Sequence, residues 1–226
     1  DSPNTIIVYR SLETASGPVD CPDTSGDPVQ TARAWVEGLQ PYWTKVQADY
    51  YELMHECHPP AAWLVPFTIE AMAQAAARGQ CLLVFSFAAG NPEPAEFAAL
   101  QPVFEYALAN PCQPGRTHGI ALHAYGIQPQ TLLSQSGLSL GLRHRLLMAQ
   151  LLPALPQAIL LPVFITEAGA GDGRTSFDCG AITQDVIQYT QQLEFDPYVR
   201  GFDLWTVGPP NSEWFDVTPC LPQIRD

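Results

Sequence analysis

An α/β fold with parallel strands, curled toward a barrel, is what this sequence predicts, and three observations predict it. Short apolar, β-branched segments alternate strictly with helix signals along the chain. Parallel neighbours need the long return connection that a helix supplies, so this order implies a parallel sheet. Doubly wound sheets satisfy the alternation equally, but no G-x-G-x-x-G follows the first strand and no G-x-x-x-x-G-K-[ST] occurs anywhere, which takes away the main support for phosphate-cradling versions. A barrel is the better reading. The 226 residues, 46% hydrophobic, are long enough for one sizeable core and read as a single domain, 1–226.

Thr5 to Tyr9 (TIIVY) has the β-branched apolar character of a strand buried on both faces. Asp27, followed by Pro28 and with Gln30 three residues on, opens a helix that runs to Pro41 or beyond. Tyr50 to Met54 (YYELM) is the second strand. An alanine-rich helix from Ala61 to Arg78 follows, kinked by Pro66 and stopped by Gly79. Cys81 to Phe87 is the third strand, and Pro94 to Ala109 a helix interrupted by Pro102. Gly119 to His123 and the leucine-rich stretch Leu138 to Leu152 form the next pair. Ala158 to Thr166, Ala181 to Leu193 and Gly201 to Thr206 complete the series as strand, helix and strand.

Charge narrows the partners. The chain carries 23 acidic against 10 basic residues, a formal net charge of -13, and such a surface repels nucleic-acid phosphates and anionic lipid. Apolar stretches such as Ala158 to Ile165 are interrupted by Pro162 and fall far short of the roughly 18 apolar residues of a spanning helix. The six cysteines show no C-x-x-C spacing. Cys81 opens an apolar run and reads as a buried free thiol, while Cys21, Cys112, Cys179 and Cys220 lie in loop-like sequence where disulfides can form. Both compartments stay open, with an extracellular or cell-surface one fitting the acidic, proline-rich loops better.

Parallel barrels place their chemistry at the C-terminal ends of the strands. Here those positions are polar: Arg10 and Glu13, then His55, Glu56 and His58, then Ser86, then His123 and Tyr125, then Glu167, and finally Trp205. Glu56 and Glu167 each follow an apolar strand, in YYELM-H-E and PVFIT-E-A-G, which aims both carboxylates into one cavity. Either acid alone is more often a helix cap or a surface charge. Paired, they suit glycosidic cleavage, in which one carboxyl protonates the leaving oxygen while the other attacks the anomeric centre.

This pattern resembles the clan of retaining glycoside hydrolases built on TIM-type (β/α)8 barrels, whose acid/base Glu ends barrel strand four and whose nucleophile Glu ends strand seven. Taking YYELMHE as strand four puts CLLVFSF at five, GIALHAY at six, FITEAG at seven and GFDLW at eight. The resemblance implies catalytic roles for Glu56 and Glu167 and sugar contacts from Arg10, His55, His123, Tyr125 and Trp205. It implies a carbohydrate substrate and no metal or organic cofactor, with Glu56 carrying a raised pKa and the carboxyl groups about 5–5.5 Å apart. The family motif W-x-x-x-N-E-P departs here to Met54-His55-Glu56-Cys57, so His55 stands for Asn and Cys57 for Pro. Only strands three to eight are accounted for. The barrel is therefore incomplete, lacking two βα units of about 60–70 residues, and an N-terminal segment or a partner chain is expected to close it.

Rival readings stay in view. Trp205 also suits plain core packing, and Arg10 suits ordinary loop contacts. His55, His58 and His123 invite a metal reading, though H-E-C-H before two prolines lacks the helical H-E-x-x-H spacing. Ser86 stands in no G-x-S-x-G. His118 and His144 read as surface or interface residues. The alternative function is a barrel kept as a carbohydrate-binding or scaffolding module with little turnover.

Overall fold

The computed structural model describes residues 5–11, 20–128, 130–208 and 214–225; Glu13 lies outside them. Six parallel strands hydrogen-bond in chain order, β1 (Val8–Tyr9), β2 (Tyr50–Glu52), β3 (Leu82–Phe87), β4 (Gly119–Tyr125), β5 (Val163–Gly169) and β6 (Val199–Leu204). The sheet curls into an incomplete TIM-type barrel with helices over its outer face. These are α1 (Pro28–Trp43), α2 (Ala61–Ala76), α3 (Gln101–Ala109), α4 (Arg143–Leu151), α5 (Cys179–Leu193) and α6 (Leu221–Arg225). No helix among the described residues is long and apolar enough to cross a membrane.

Local chemistry explains the helix starts. Asp27 caps α1 by accepting from the Gln30 amide at 2.9 Å, with Pro28 at the first helical position, and Asp178 caps α5 through the Ala181 amide in the same way. The inner stripes of α1 and α2 bury Val36, Trp43, Leu64, Phe67 and Met72 against the sheet and against each other. Each such side chain contributes roughly 1.5–3 kcal/mol of apolar burial. β3, β4 and β5 are buried along their whole length, as strands covered on both faces must be.

Proline and glycine chemistry correct three boundaries. The run from Ala158 begins as part of a 3-10 helix, Pro156–Leu160, and the strand starts only at Val163, because Pro156 sets a helical φ and Pro162 breaks the turn. Pro94–Leu100 is likewise 3-10, and α3 begins at Gln101 with Pro102 in its first turn. The leucine-rich stretch turns helical only at Arg143; Gly137, at φ +70°, and the close approach of Gly141 to the Leu133 carbonyl hold the residues before it in turns.

All six cysteines are paired: Cys21–Cys57, Cys81–Cys112 and Cys179–Cys220. Cys81 is therefore not a free thiol. It sits at the N-terminal end of β3, and Cys112 precedes β4, so two parallel neighbours bring both to the same end of the sheet.

His144 and His118 are buried, contrary to the surface reading. Nε2 of His144 lies 2.8 Å from Asp196 Oδ2, which Arg145 also holds. Nδ1 of His118 accepts from the Leu82 amide at 3.0 Å, a role only the neutral ring can fill, and burial pulls its pKa from 6.5 down to about 4. The folded value lies below the unfolded one. The contribution is thus fully present above about pH 6.5 and is lost as pH falls toward about 4, on the order of 3 kcal/mol in total. His118→Asn, whose Oδ1 can accept the same amide, is expected to flatten the fall in unfolding free energy across that window. Identical pH slopes for variant and wild type would refute this.

Among the described residues β1 and β6 each leave one edge unpaired. Between them the inner face is open as a cleft lined by Ile6, Val8, Phe164, Phe202 and Asp203.

Candidate active site

The site lies at the C-terminal ends of the strands, where three departures from regular pairing re-aim side chains. The register shifts between Phe85 and Phe87, between Leu122 and His123, and between Ile165 and Ala168. Such bulges bend a strand and redirect its residues. Phe85 and Ser86 take positive φ values of 82° and 43° at the first of them, a conformation that costs a non-glycine residue about 1 kcal/mol or more.

Glu56 stands in the turn after β2, also at positive φ (52°). Its amide donates to the Ser86 carbonyl at 2.9 Å, and the His55 amide to the Asp20 carbonyl at 3.0 Å. Cys57, next in sequence, is cross-linked to Cys21. Two loops are thereby stapled on either side of the carboxylate, which holds an otherwise unfavourable backbone in place.

All seven residues expected at the site converge. His123 Nδ1 lies 2.9 Å from Glu56 Oε1 and 3.7 Å from Glu167 Oε2, so both acids border one buried imidazole. Tyr125 donates its hydroxyl to Glu167 Oε2 at 2.7 Å, and Arg10 donates to Glu167 Oε1 at 2.5 Å and to His55 Nδ1 at 2.9 Å. The Arg10 guanidinium also sits 5.4 Å from the centroid of the Trp205 ring. Trp205 meets Trp214 edge to face, 5.9 Å between centroids. His55, Glu56, Tyr125, Glu167, Trp205 and Trp214 line a cavity of about 290 Å³. A larger hollow of about 460 Å³ at the opposite end of the strands is lined by Arg116, Arg200, Tyr50 and one acid, Asp49, which pairs with Arg116; the smaller cavity is the one that gathers two glutamates. His58 turns away toward Glu96 and Phe87.

Electrostatics modify one expectation. Glu56 is held below the usual carboxylate range by its hydrogen bond to His123, against the opposing effect of burial, where the family resemblance implied a raised value. Its side chain is 41% exposed, so desolvation is too weak to win. Burial and the Arg10 charge lower the His55 pKa, matching an Nδ1 that accepts. Burial, then the neighbouring Glu167, raises that of Tyr125 and keeps it a donor. Burial opposes the Arg10 charge, but Glu52 and Glu167 outweigh it and raise its pKa.

One atom each from His55, His123 and Glu167 falls within 4.8 Å of the others, a spacing that could hold a metal ion. Arg10 already donates to His55 Nδ1 and Glu167 Oε1. A metal would have to displace that guanidinium, so the donor set fits a metal poorly.

Three contributors escaped the sequence reading. Glu52 is buried at 5% exposure, accepting from Ser86 Oγ at 2.9 Å and Thr166 Oγ1 at 2.5 Å. A carboxylate inside the apolar run YYELM was the available signal, since unpaired buried acids are rare. Thr166 follows from it. Trp214 lies in a loop far from any strand end, and no local pattern marks it.

No protein-family model matches this chain, and no curated protein does. Several solved structures are similar. A GH5 xyloglucan-specific endo-β-1,4-glucanase from a metagenomic library, in complex with cellotriose, superposes with a TM-score of 0.56 at 15% identity, over 96% of this chain and 67% of that one. A GH128 endo-β-1,3-glucanase from Sorangium cellulosum gives 0.52 at 15% identity, over 96% and 85%. A bacterial orthologue of human α-L-iduronidase gives 0.52 at 13% identity, over 83% of this chain and only 35% of its own length. At such identities the common property is the fold, a (β/α) barrel.

Proposed function

We propose that this chain carries the catalytic face of a retaining glycoside hydrolase acting on O-glycosidic bonds of an oligo- or polysaccharide. One observation carries the reading: Glu56 and Glu167, from strand ends far apart in sequence, border the same His123 nitrogen. The two distances from that nitrogen put an upper limit of about 7 Å on the gap between those carboxylate oxygens, which accommodates the ~5–5.5 Å of retaining pairs.

In the first step a Glu167 oxygen attacks the anomeric carbon while the leaving oxygen takes a proton from Glu56, giving a glycosyl ester. In the second, Glu56 removes a proton from water as that water attacks the same carbon, and Glu167 departs as carboxylate. Arg10 and Tyr125 fix both Glu167 oxygens. His123 Nδ1 lies within hydrogen-bond distance of Glu56, at 2.9 Å. A bound sugar strips water from the half-exposed Glu56, which penalises its charged form and favours the protonated carboxyl. Because His55 Nδ1 accepts from Arg10, its Nε2–H is the donor available to a sugar hydroxyl in place of the family Asn. The Trp205 face serves as platform for the C–H face of the ring.

The unpaired edges of β1 and β6 call for cover by a further segment or a partner chain, since open edges invite aggregation. Three disulfides support an extracellular or cell-surface location. Aryl glycosides of several sugars test the activity, and a 2-deoxy-2-fluoro glycoside tests the mechanism. The expected result is a stoichiometric sugar adduct on the peptide containing Glu167. Turnover with inversion and no adduct rules out the retaining route. Sugar binding by calorimetry with no hydrolysis of any glycoside favours a binding module, which the departure at His55 would suit.

A further inference from the structure

A buried carboxylate below the cavity touches residues from three strands of the site, although it is not among the residues that line the cavity. Glu52 Oε1 accepts from Ser86 Oγ and Thr166 Oγ1, and Glu52 Oε2 lies 3.8 Å from Arg10 Nε. Each of these partners has a second attachment. The Ser86 carbonyl receives the Glu56 amide; Thr166 directly precedes Glu167 in β5; Arg10 binds Glu167 Oε1 and His55 Nδ1. Ser86 keeps its positive φ of 43° with its hydroxyl anchored by this same acid. A charge in a fully buried strand costs several kcal/mol of desolvation unless it is paired and hydrogen-bonded, and Glu52 meets that demand by gathering β1, β3 and β5 around itself.

We propose that Glu52 is a positioning residue that clamps the Arg10 guanidinium and sets the separation of Glu56 and Glu167. The inference rests on the reading of those two acids as the catalytic pair. Its mechanism is geometric. Arg10 has one carboxylate below it and one above, an ion pair to Glu52 at Nε and a hydrogen bond to Glu167 at Nη, so its position and that of Glu167 are linked. Removing the lower charge leaves Arg10 free to swing with Glu167.

Glu52→Gln is the informative variant, because its amide oxygen can still accept from Ser86 and Thr166 while its NH₂ opposes Arg10 Nε. On an aryl glycoside, kcat is expected to fall about 10-fold or more with KM within about twofold, while the melting temperature moves by only a few degrees. A second reading needs no turnover. The Nη protons of Arg10, assigned by their absence in Arg10→Lys, are expected as separate NMR signals in wild type at low temperature and as a merged signal in Glu52→Gln. Unchanged kcat per folded molecule overturns the proposal, as do Arg10 signals that stay separate in the variant. If wild type cleaves no glycoside, the proposed function falls, and the Arg10 signals alone decide whether Glu52 holds the guanidinium.

Discussion

Glu167→Ala is expected to lower kcat/KM on aryl glycosides by on the order of 10⁴-fold or more, the scale on which loss of a covalent nucleophile is felt, and added azide is expected to restore turnover. The rescue follows from what surrounds the carboxylate. Arg10 Nη and the Tyr125 hydroxyl both point at Glu167 oxygens. Truncation leaves a space the size of a carboxylate, lined by a cation and a neutral donor, and a small anion fits that space. Azide attacking from there takes the side of the ring that Glu167 occupied, so the glycosyl azide has the configuration opposite to the substrate. The variant should still fold, since Arg10 keeps Glu52 3.8 Å away. Wild-type-like hydrolysis in Glu167→Ala would remove this residue from the chemistry. Azide product of retained configuration would move the nucleophile to Glu56.

Much of this site was legible because the parallel β/α order carries its own geometry. Once Tyr50–Glu52, Gly119–Tyr125 and Val163–Gly169 are strands in one sheet, the residues after them share one rim, and Glu56, His123, Tyr125 and Glu167 needed no further information to be placed together. The same logic applied to the opposite rim would have paired Cys81 with Cys112, each of which precedes a strand, but the apolar run after Cys81 drew attention to burial instead of to its neighbour. Proton placement was not legible. The family resemblance implies a raised pKa for Glu56, yet its environment depends on a histidine 67 residues away with Nδ1 at 2.9 Å, and no local pattern sets that contact. His118 and His144 failed for a related reason: nothing nearby announces that the Leu82 amide and Asp196 will meet their rings. Helix caps succeeded where the partner lies three residues away; long-range polar contacts did not.

Arg10→Leu tests whether the first strand end belongs to the site or only to a loop. In the structure this guanidinium lies between Glu52 and Glu167, each 5% exposed. Deleting the cation leaves two buried acids with hydroxyl donors but no counter-charge, and breaking a buried pair in this way costs about 3–5 kcal/mol. Leucine fills part of the volume but supplies no donor, so packing cannot offset the loss. Denaturant unfolding at neutral pH is expected to show that deficit, and at acidic pH, where carboxylates take up protons and no longer repel, the deficit should narrow. A loop arginine making solvent contacts would cost below about 1 kcal/mol at either pH. Combining Arg10→Leu with Glu167→Gln separates the two causes. If the cation stabilises chiefly by neutralising Glu167, the second substitution recovers part of what the first removed. If Glu52 is the partner that matters for folding, the double variant is no more stable than Arg10→Leu alone, and Arg10 then serves folding through one acid and chemistry through the other.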